Sequence, residues 1–169
     1  MRLTLIHPCI GRRPGEKYIR TWQMEPLPPA ALAGLTPDDV EIRFYDDRME
    51  EIPYDEPTDL VAISVETYTA KRAYQIASEY RRRRIPVVMG GFHAMLCPEE
   101  VAEHAEAVVV GEAEELWPQV VDDARHGQSL LAPTDSKAEP PLLVAGERAV
   151  VAVPASTSDA APALATVVQ

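Results

Sequence analysis

The stretch from Leu60 to Gly91, "LVAISVETYTAKRAYQIASEYRRRRIPVVMGG", decides the fold class. It begins and ends with continuous runs of Val, Ile and Ala, which are typical of parallel strands covered on both faces. Between these runs, alanines and tyrosines recur every three or four residues from Tyr68 to Arg83 and make one apolar helix face. A strand, a helix and a second strand in this order predict a parallel βαβ unit.

The same alternation continues on both sides of this unit. Pro98 can open a helix, and Gly127 can end one whose apolar face includes Trp117. We therefore predict an α/β fold, a doubly wound five-stranded parallel sheet of the flavodoxin-like (Rossmann-like) type with strand order 2-1-3-4-5. The apolar runs place its strands near residues 2–7, 40–46, 59–65, 86–90 and 107–111.

The composition changes after Gly127. Residues 129–169 are rich in Ala, Pro and Ser and show no helical period. We predict a domain over residues 1–128, followed by an appendage over residues 129–169 that is either a linker or partly ordered against the domain. Within the appendage, "PLLVAGERAVVAV" could form a hairpin around Gly146.

Charge and cysteine content exclude several classes of protein. The 27 acidic and 16 basic residues give a net charge of -11, which argues against a general nucleic-acid binder. The basic run Arg81 to Arg84 is expected to be the solvated last turn of a helix. Two cysteines make no disulfide framework, and neither a signal peptide nor an apolar segment of about 20 residues is present. We expect a soluble, cytoplasmic protein with no membrane partner.

Unusual residues follow each predicted strand, in the segments "HPCIG", "DDRMEE", "SVETYT", "GGFHAM" and "GEAEE". Ligands of open parallel sheets bind beyond the carboxyl ends of the strands. However, no phosphate-binding glycine motif follows the first strand, and the acidic residues and lysine of a phosphoacceptor domain are missing. The strand ends therefore predict a ligand site of another kind.

Catalytic and metal-binding side chains are not clearly arranged in the sequence. Ser64 or Cys97 could be nucleophiles with His7 or His93 as the base, but nothing pairs them, so we predict no catalytic residue. His7-x-Cys9 and His93-x-x-x-Cys97 together supply two nitrogen and two sulfur ligands. The strands that carry them are separated by a third, and we prefer to interpret both cysteines as small buried side chains, with no metal ion held by the protein.

The ordered combination of Ser64, Gly90-Gly91-x-His93 and Gly111-Glu112-x-Glu114 resembles the cobalamin-binding domain of B12-dependent radical SAM enzymes. The resemblance covers about residues 2–128. It implies that cobalamin is the cofactor and that its nucleotide tail enters the carboxyl edge of the sheet, with the lower base detached from cobalt. In this interpretation Ser64 and Thr67 give hydroxyl contacts to the tail, the Gly90-Gly91 pair lets the tail pass, and Gly111 and Glu112 line the other wall.

The resemblance also implies contacts from the loop between Pro8 and Pro26. Its Tyr18, Trp22 and Met24 could cover one corrin face, or Trp22 and Met24 could pack on the first helix, and the two alternatives are equally supported. The complete set of cofactor-binding residues that we predict is Cys9, Tyr18, Trp22, Ser64, Val65, Glu66, Thr67, Tyr68, Gly90, Gly91, Phe92, His93, Gly111 and Glu112.

Two motifs of related proteins are missing. No D-x-H-x-x-G follows the first strand, so no histidine is expected on cobalt, and no C-x-x-x-C-x-x-C is present to hold an iron–sulfur cluster. We therefore expect no catalysis by this chain alone and a protein partner that carries a radical SAM or methyltransferase domain. Two functions remain open: a methyl-carrying cobalamin module, and a ligand-free interaction domain with a relic of the cofactor site.

Overall fold

A computed structural model describes residues 1–11, 25–128, 130 and 149–152. Its centre is an all-parallel sheet of six strands in the order β2-β1-β3-β4-β5-β6. The first five strands confirm the predicted flavodoxin-like order. The strands are β1 (Arg2–His7), β2 (Glu41–Asp46), β3 (Leu60–Ser64), β4 (Val87–Gly90), β5 (Ala107–Val110) and β6 (Ala149–Ala152).

The sixth strand was not predicted. It pairs in parallel with β5, in a register that sets Ala107 opposite Ala149. A strand there satisfies the backbone groups that the edge of β5 would otherwise expose. The predicted hairpin would need residues 141–148, which lie outside the described residues. The division of the chain at residue 128 remains a prediction.

Five helices in the described part of the chain connect and cover the strands. Prolines occupy the first turn of the first, fourth and fifth, where a missing N–H costs nothing. Gly127 caps the fifth in the left-handed region at φ 63°, as the sequence predicts. The helices are α1 (Leu27–Leu35), α2 (Ala70–Arg82), α3 (Phe92–Leu96), α4 (Pro98–Ala102) and α5 (Trp117–His126).

Each face of the sheet has its own core. All five residues of β3 are buried, with Ile63 facing α2, α3 and α4, and Ala62 facing α1 and α5. This burial on both faces explains why the strand reads as a continuous apolar run without alternation. The three layers place the carboxyl ends of β1, β3, β4 and β5 side by side at one edge.

The arginine run lies at the end of α2, as expected, and three of its members pair with acidic side chains. Arg81 Nε lies 2.7 Å from Glu106, and Arg82 and Arg83 both pair with Glu79. Arg82 is 70% exposed and Arg84 is also exposed, so the expectation of a solvated turn is confirmed. None of the helices in the described ranges has the length and hydrophobicity that crossing a bilayer requires.

Candidate functional site

A cavity of about 370 Å³ opens at the carboxyl edge of the sheet, between the sheet, α1 and the start of α5. Its walls are almost entirely apolar side chains and glycines, with one hydroxyl and two carboxylates among them. The lining residues are Leu27, Pro28, Ala31, Leu32, Ala62, Ile63, Ser64, Val88, Met89, Gly90, Gly91, Val109, Gly111, Glu112, Ala113, Glu114 and Trp117. Such a cavity suits a flat, largely apolar ligand that carries a few polar groups.

Ser64 places an unsatisfied hydroxyl in the wall of this cavity. It is the last residue of β3 and is 9% exposed. Among the described residues, its Oγ is one of two buried side-chain polar atoms without a hydrogen-bond partner. A buried polar group without a partner costs about 1–3 kcal/mol. A polar group of a bound ligand would remove that cost.

Gly90 ends β4 and lines the cavity. Val88, two residues earlier on the same face of the strand, belongs to the core beneath α1 and α5. A Cβ at position 90 would lie 3.5 Å from the carbonyl oxygen of Val109, which is an ordinary contact. Position 90 therefore accepts a methyl group, whereas a longer side chain would enter the cavity.

Gly91 is a glycine for a different reason. Its φ of 103° lies in the region that favours glycine, and a Cβ there would lie 2.9 Å from both the nitrogen and the oxygen of Val65. The corner is closed by hydrogen bonds from Val65 N to Gly90 O (2.7 Å) and from His93 N to Val65 O (3.0 Å). A side chain at position 91 would meet protein backbone before it met a ligand. The role of Gly91 in admitting a ligand therefore stays a prediction.

Of the predicted residues, Ser64, Gly90, Gly91, Gly111 and Glu112 line the cavity together. Gly111 follows β5 with φ at 99°, and this turn carries the exposed Glu112 to the rim.

The other predicted residues near β3 and β4 lie elsewhere. Val65 is fully buried in the core beneath α2, so it does not reach the cavity. His93 is buried on that same side, with Nδ1 3.3 Å from Thr67 Oγ1 and Nε2 3.1 Å from the hydroxyl of Tyr74. Four residues follow the carboxyl ends of β3 and β4 without lining the cavity: Glu66, Thr67, Tyr68 and Phe92. The rings of the last two are 62% and 56% exposed.

The end of β1 holds two further candidates. Cys9 is buried, and its N–H donates to Asp47 Oδ2 at 3.2 Å. Burial, helped by the neighbouring Asp47, raises the pKa of the Cys9 thiol to about 11. Burial and the charge of Arg48 lower the pKa of His7, whose Nδ1 is the second buried atom without a partner in the described part of the chain. The predicted Tyr18 and Trp22, together with Met24, lie outside the described residues.

The two histidines and two cysteines considered as metal ligands do not form one site. In the described ranges, His93 and Cys97 lie together with Glu100, whereas His7 and Cys9 are not part of that group. Cys97 is only half-buried, so the expectation that it is a small core side chain is wrong. The reason is local, since Cys97 joins α3 to α4 at the surface.

The helical walls of the cavity were not predicted from the sequence. Trp117 was expected to be a core residue. It is 1% exposed and donates to Thr36 Oγ1 at 2.8 Å, but its ring also lines the cavity. Residues two apart on a strand share a face, and this rule could have placed Ala62, Val88 and Val109 beside the predicted Ser64, Gly90 and Gly111. No local pattern identifies Leu27 or Leu32 of α1 as lining, because their partners are distant in sequence.

Comparison with known proteins gives a matching family model and similar proteins. The model of the B12 binding domain family matches residues 30–121. The bacteriochlorophyllide d C-8(2)-methyltransferase of Chlorobaculum tepidum is 43% identical over 112 residues, which are 66% of this chain and 25% of that protein. The C-12(1)-methyltransferase of the same organism is 31% identical over 105 residues, 61% of this chain and 23% of that protein. The chain thus spans about a quarter of the length of these relatives. No solved structure matches significantly.

Proposed function

The chain belongs to the B12-binding domain family, and its cofactor is cobalamin; from this premise we propose that it holds cobalamin with the nucleotide tail in the cavity and the lower base detached from cobalt. The observation that carries the proposal is the apolar cavity at the carboxyl edge, with the unsatisfied hydroxyl of Ser64 in its wall. A base enclosed between the sheet and α1 cannot at the same time ligate a cobalt ion outside the edge.

The residues of the cavity fit the chemistry of the tail. Its aromatic base matches the apolar walls and the ring of Trp117, and its sugar and phosphate offer polar partners to Ser64. Gly90 keeps the entrance open, because a longer side chain on that face of β4 would fill it. The exposed rings of Tyr68 and Phe92 give the rim apolar surface against which the corrin can lie.

We further propose that no side chain of this domain ligates cobalt. The segment from His7 to Gly11 lacks the D-x-H-x-x-G motif. Cys9 is buried and stays a neutral thiol at physiological pH, because its pKa is raised to about 11. Of the two ring nitrogens of His7, Nδ1 is enclosed by protein and so does not face a cofactor that lies beyond the strand ends.

The domain acts in this proposal as the methyl-carrying part of a larger system. When bound, cobalamin supplies a cobalt centre that can carry a methyl group. Two methyltransferases match this chain over about a quarter of their own length, so the remainder of such a system is a radical SAM or methyltransferase domain. The residues of this chain bind the cofactor, orient it and exclude water from its tail.

The test compares two ligands that differ only in the tail. The full chain is mixed with hydroxocobalamin or with cobinamide, which lacks the nucleotide tail, then desalted, and the visible spectrum of the protein fraction is recorded. We expect stoichiometric retention of cobalamin and at least tenfold weaker binding of cobinamide. Equal affinity for both ligands, or a colourless protein after mixing with cobalamin, would contradict the proposal.

Two glycine variants provide matched controls. Gly90→Leu should lower the affinity for cobalamin to that for cobinamide, because the side chain occupies the cavity. Gly34→Leu adds the same side chain on α1 at a position with no atom within 4 Å, and should leave cobalamin retention unchanged. If Gly90→Leu melts like the unmodified protein and still prefers cobalamin, the tail does not use the cavity.

A further inference from the structure

Three metal-ligating side chains converge on the other side of the sheet from the cavity, where α3 and α4 meet. They are His93, Cys97 and Glu100, whose donor atoms all lie within 4.8 Å of one another. His93 Nε2 and Glu100 Oε1 are 3.6 Å apart. We propose that these three residues form a binding site for a divalent transition-metal ion of the zinc class, separate from the cobalamin site.

The spacing of the donors suits tetrahedral zinc. Zinc binds nitrogen at about 2.0–2.1 Å and sulfur at about 2.3 Å, which places neighbouring donors of a tetrahedron about 3.3–3.7 Å apart. The separation of His93 from Glu100 already falls in this range. Cys97 has to approach by about 1 Å at most. Since it forms the junction of two short helices and is half-buried, it has the freedom to do so.

The surroundings of His93 orient its ring for this role. Its backbone N–H donates to Val65 O at 3.0 Å, and its side chain is 7% exposed. Nδ1 lies 3.3 Å from Thr67 Oγ1, so a proton on Nδ1 can be donated to that hydroxyl. The lone pair of Nε2 then faces the cluster. A ligating histidine whose second nitrogen donates to a fixed acceptor is the usual arrangement at metal centres.

Tyr74 holds the cluster together without a metal ion. Its hydroxyl donates to Glu100 Oε1 at 2.9 Å and lies 3.1 Å from His93 Nε2. Burial, and then the hydrogen bond to Glu100, raise the pKa of Tyr74, so the phenol stays neutral. A bound cation would take the place of the protons in the hydrogen bonds that link His93, Tyr74 and Glu100, and it would draw Glu100 away from Tyr74. A proton on Nδ1 would keep His93 hydrogen-bonded to Thr67.

The charges of the ligands and their exposure to water indicate which metal ions the site can bind. A thiolate from Cys97 and a carboxylate from Glu100 would balance a charge of +2. The Glu100 side chain is 54% exposed, so a water molecule can complete four-coordination. A nitrogen, sulfur and oxygen donor set favours zinc and cobalt(II) over magnesium and calcium, which prefer oxygen alone.

The test uses the full chain free of cobalamin, of purification tag and of metal. Zinc affinity is measured by competition with a chromogenic chelator, and cobalt(II) chloride serves as the spectroscopic probe. We expect one zinc per chain and a thiolate-to-cobalt charge-transfer band. Cys97→Ser should remove the band, and Glu100→Gln should weaken zinc binding at least tenfold. Glu99→Gln, an exposed neighbouring carboxylate outside the cluster, should bind zinc like the unmodified chain.

A second measurement needs no variant. The half-buried Cys97 should react with a thiol reagent in the folded protein, whereas the buried Cys9, with its raised pKa, should not. Zinc should protect Cys97 from the reagent, and excess magnesium should not. Three results would each overturn the proposal: zinc does not protect the thiol, all variants bind zinc with equal affinity, or magnesium displaces zinc. None of these outcomes bears on cobalamin retention, so the two proposals fail independently.

Discussion

Neighbouring residues at the carboxyl edge have different roles because successive side chains of a strand point to opposite faces. Ser64 and Gly90 face the cavity beneath α1, whereas Val65 faces the core beneath α2. Gly91 has no side chain because its space is taken by the backbone of Val65. The protein backbone itself thus requires a glycine at position 91, whereas at position 90 it leaves room for a methyl group.

The two glycines therefore predict different effects of alanine. Gly91→Ala should lower the free energy of unfolding by about 2 kcal/mol or more, from a φ that side chains rarely adopt and a contact that forces the backbone apart. Gly90→Ala should change it by less than about 1 kcal/mol, because the methyl group meets only ordinary contacts. Urea unfolding of both variants measures the difference, and similar midpoints would show that the corner has been misinterpreted.

At the scale of elements, one buried carboxylate joins three of them. Asp47 follows β2, and its side chain is fully buried. Both of its oxygens accept hydrogen bonds at 2.8 Å from Arg72 of α2, and one also accepts the N–H of Cys9 after β1. Burial alone would raise the pKa of Asp47, but the bonds from Arg72 and Cys9 outweigh it and hold the pKa below its ordinary value. This contact fixes Cys9 just beyond the end of β1.

Removing the cation of this pair should lower the free energy of unfolding. Arg72→Met removes the guanidinium from the buried Asp47 carboxylate, and we expect a loss of about 3 kcal/mol in the free energy of unfolding at pH 7. The pair contributes above the ordinary carboxyl pKa of about 4, and its contribution disappears as the pH falls through the lower pKa of the folded state. The difference between Arg72→Met and the unmodified protein should therefore shrink below about pH 4.

A surface pair provides the control for this prediction. Arg82 pairs with Glu79 at 2.7 Å, but its side chain is 70% exposed. Arg82→Met should change stability by less than about 1 kcal/mol, because exposed ion pairs contribute little. Urea unfolding of both variants from pH 7 to pH 3 gives the comparison. Equal losses of unfolding free energy in the two variants would mean that the burial of Asp47 does not increase the contribution of its ion pair to stability.

At the scale of the whole molecule, local patterns were enough for the first five strands and insufficient for the helical walls of the cavity. Apolar runs located β1 to β5 within a residue or two, and Gly127 marked the end of α5, since each signal lies in one short stretch. The wall that α1 and Trp117 give the cavity depends on residues about 80 positions apart, such as Thr36 and Trp117. The same holds for β6, whose pairing with β5 spans more than 40 residues.

The state of the cobalt ion depends on the whole assembly of strand ends. If the tail lies in the cavity, its base cannot reach cobalt, while the Cys9 thiol is buried with a raised pKa and His7 Nδ1 is enclosed by protein. We expect the cob(II)alamin complex to show no nitrogen superhyperfine splitting in its EPR spectrum. The measurement is made on the reduced complex of the full chain, with free base-on cob(II)alamin as the reference.

A variant of His7 tells apart the two ways in which this expectation can fail. If nitrogen splitting appears and disappears in His7→Ala, a histidine ligates cobalt, and the proposal that no side chain does so is wrong. If splitting appears and persists in His7→Ala, with the same coupling as in the base-on reference, the lower base is still on cobalt. The cavity would then not hold the tail, and the unsatisfied hydroxyl of Ser64 would need another partner. Absence of splitting in both proteins is the result that we expect if the tail lies in the cavity and no side chain ligates cobalt.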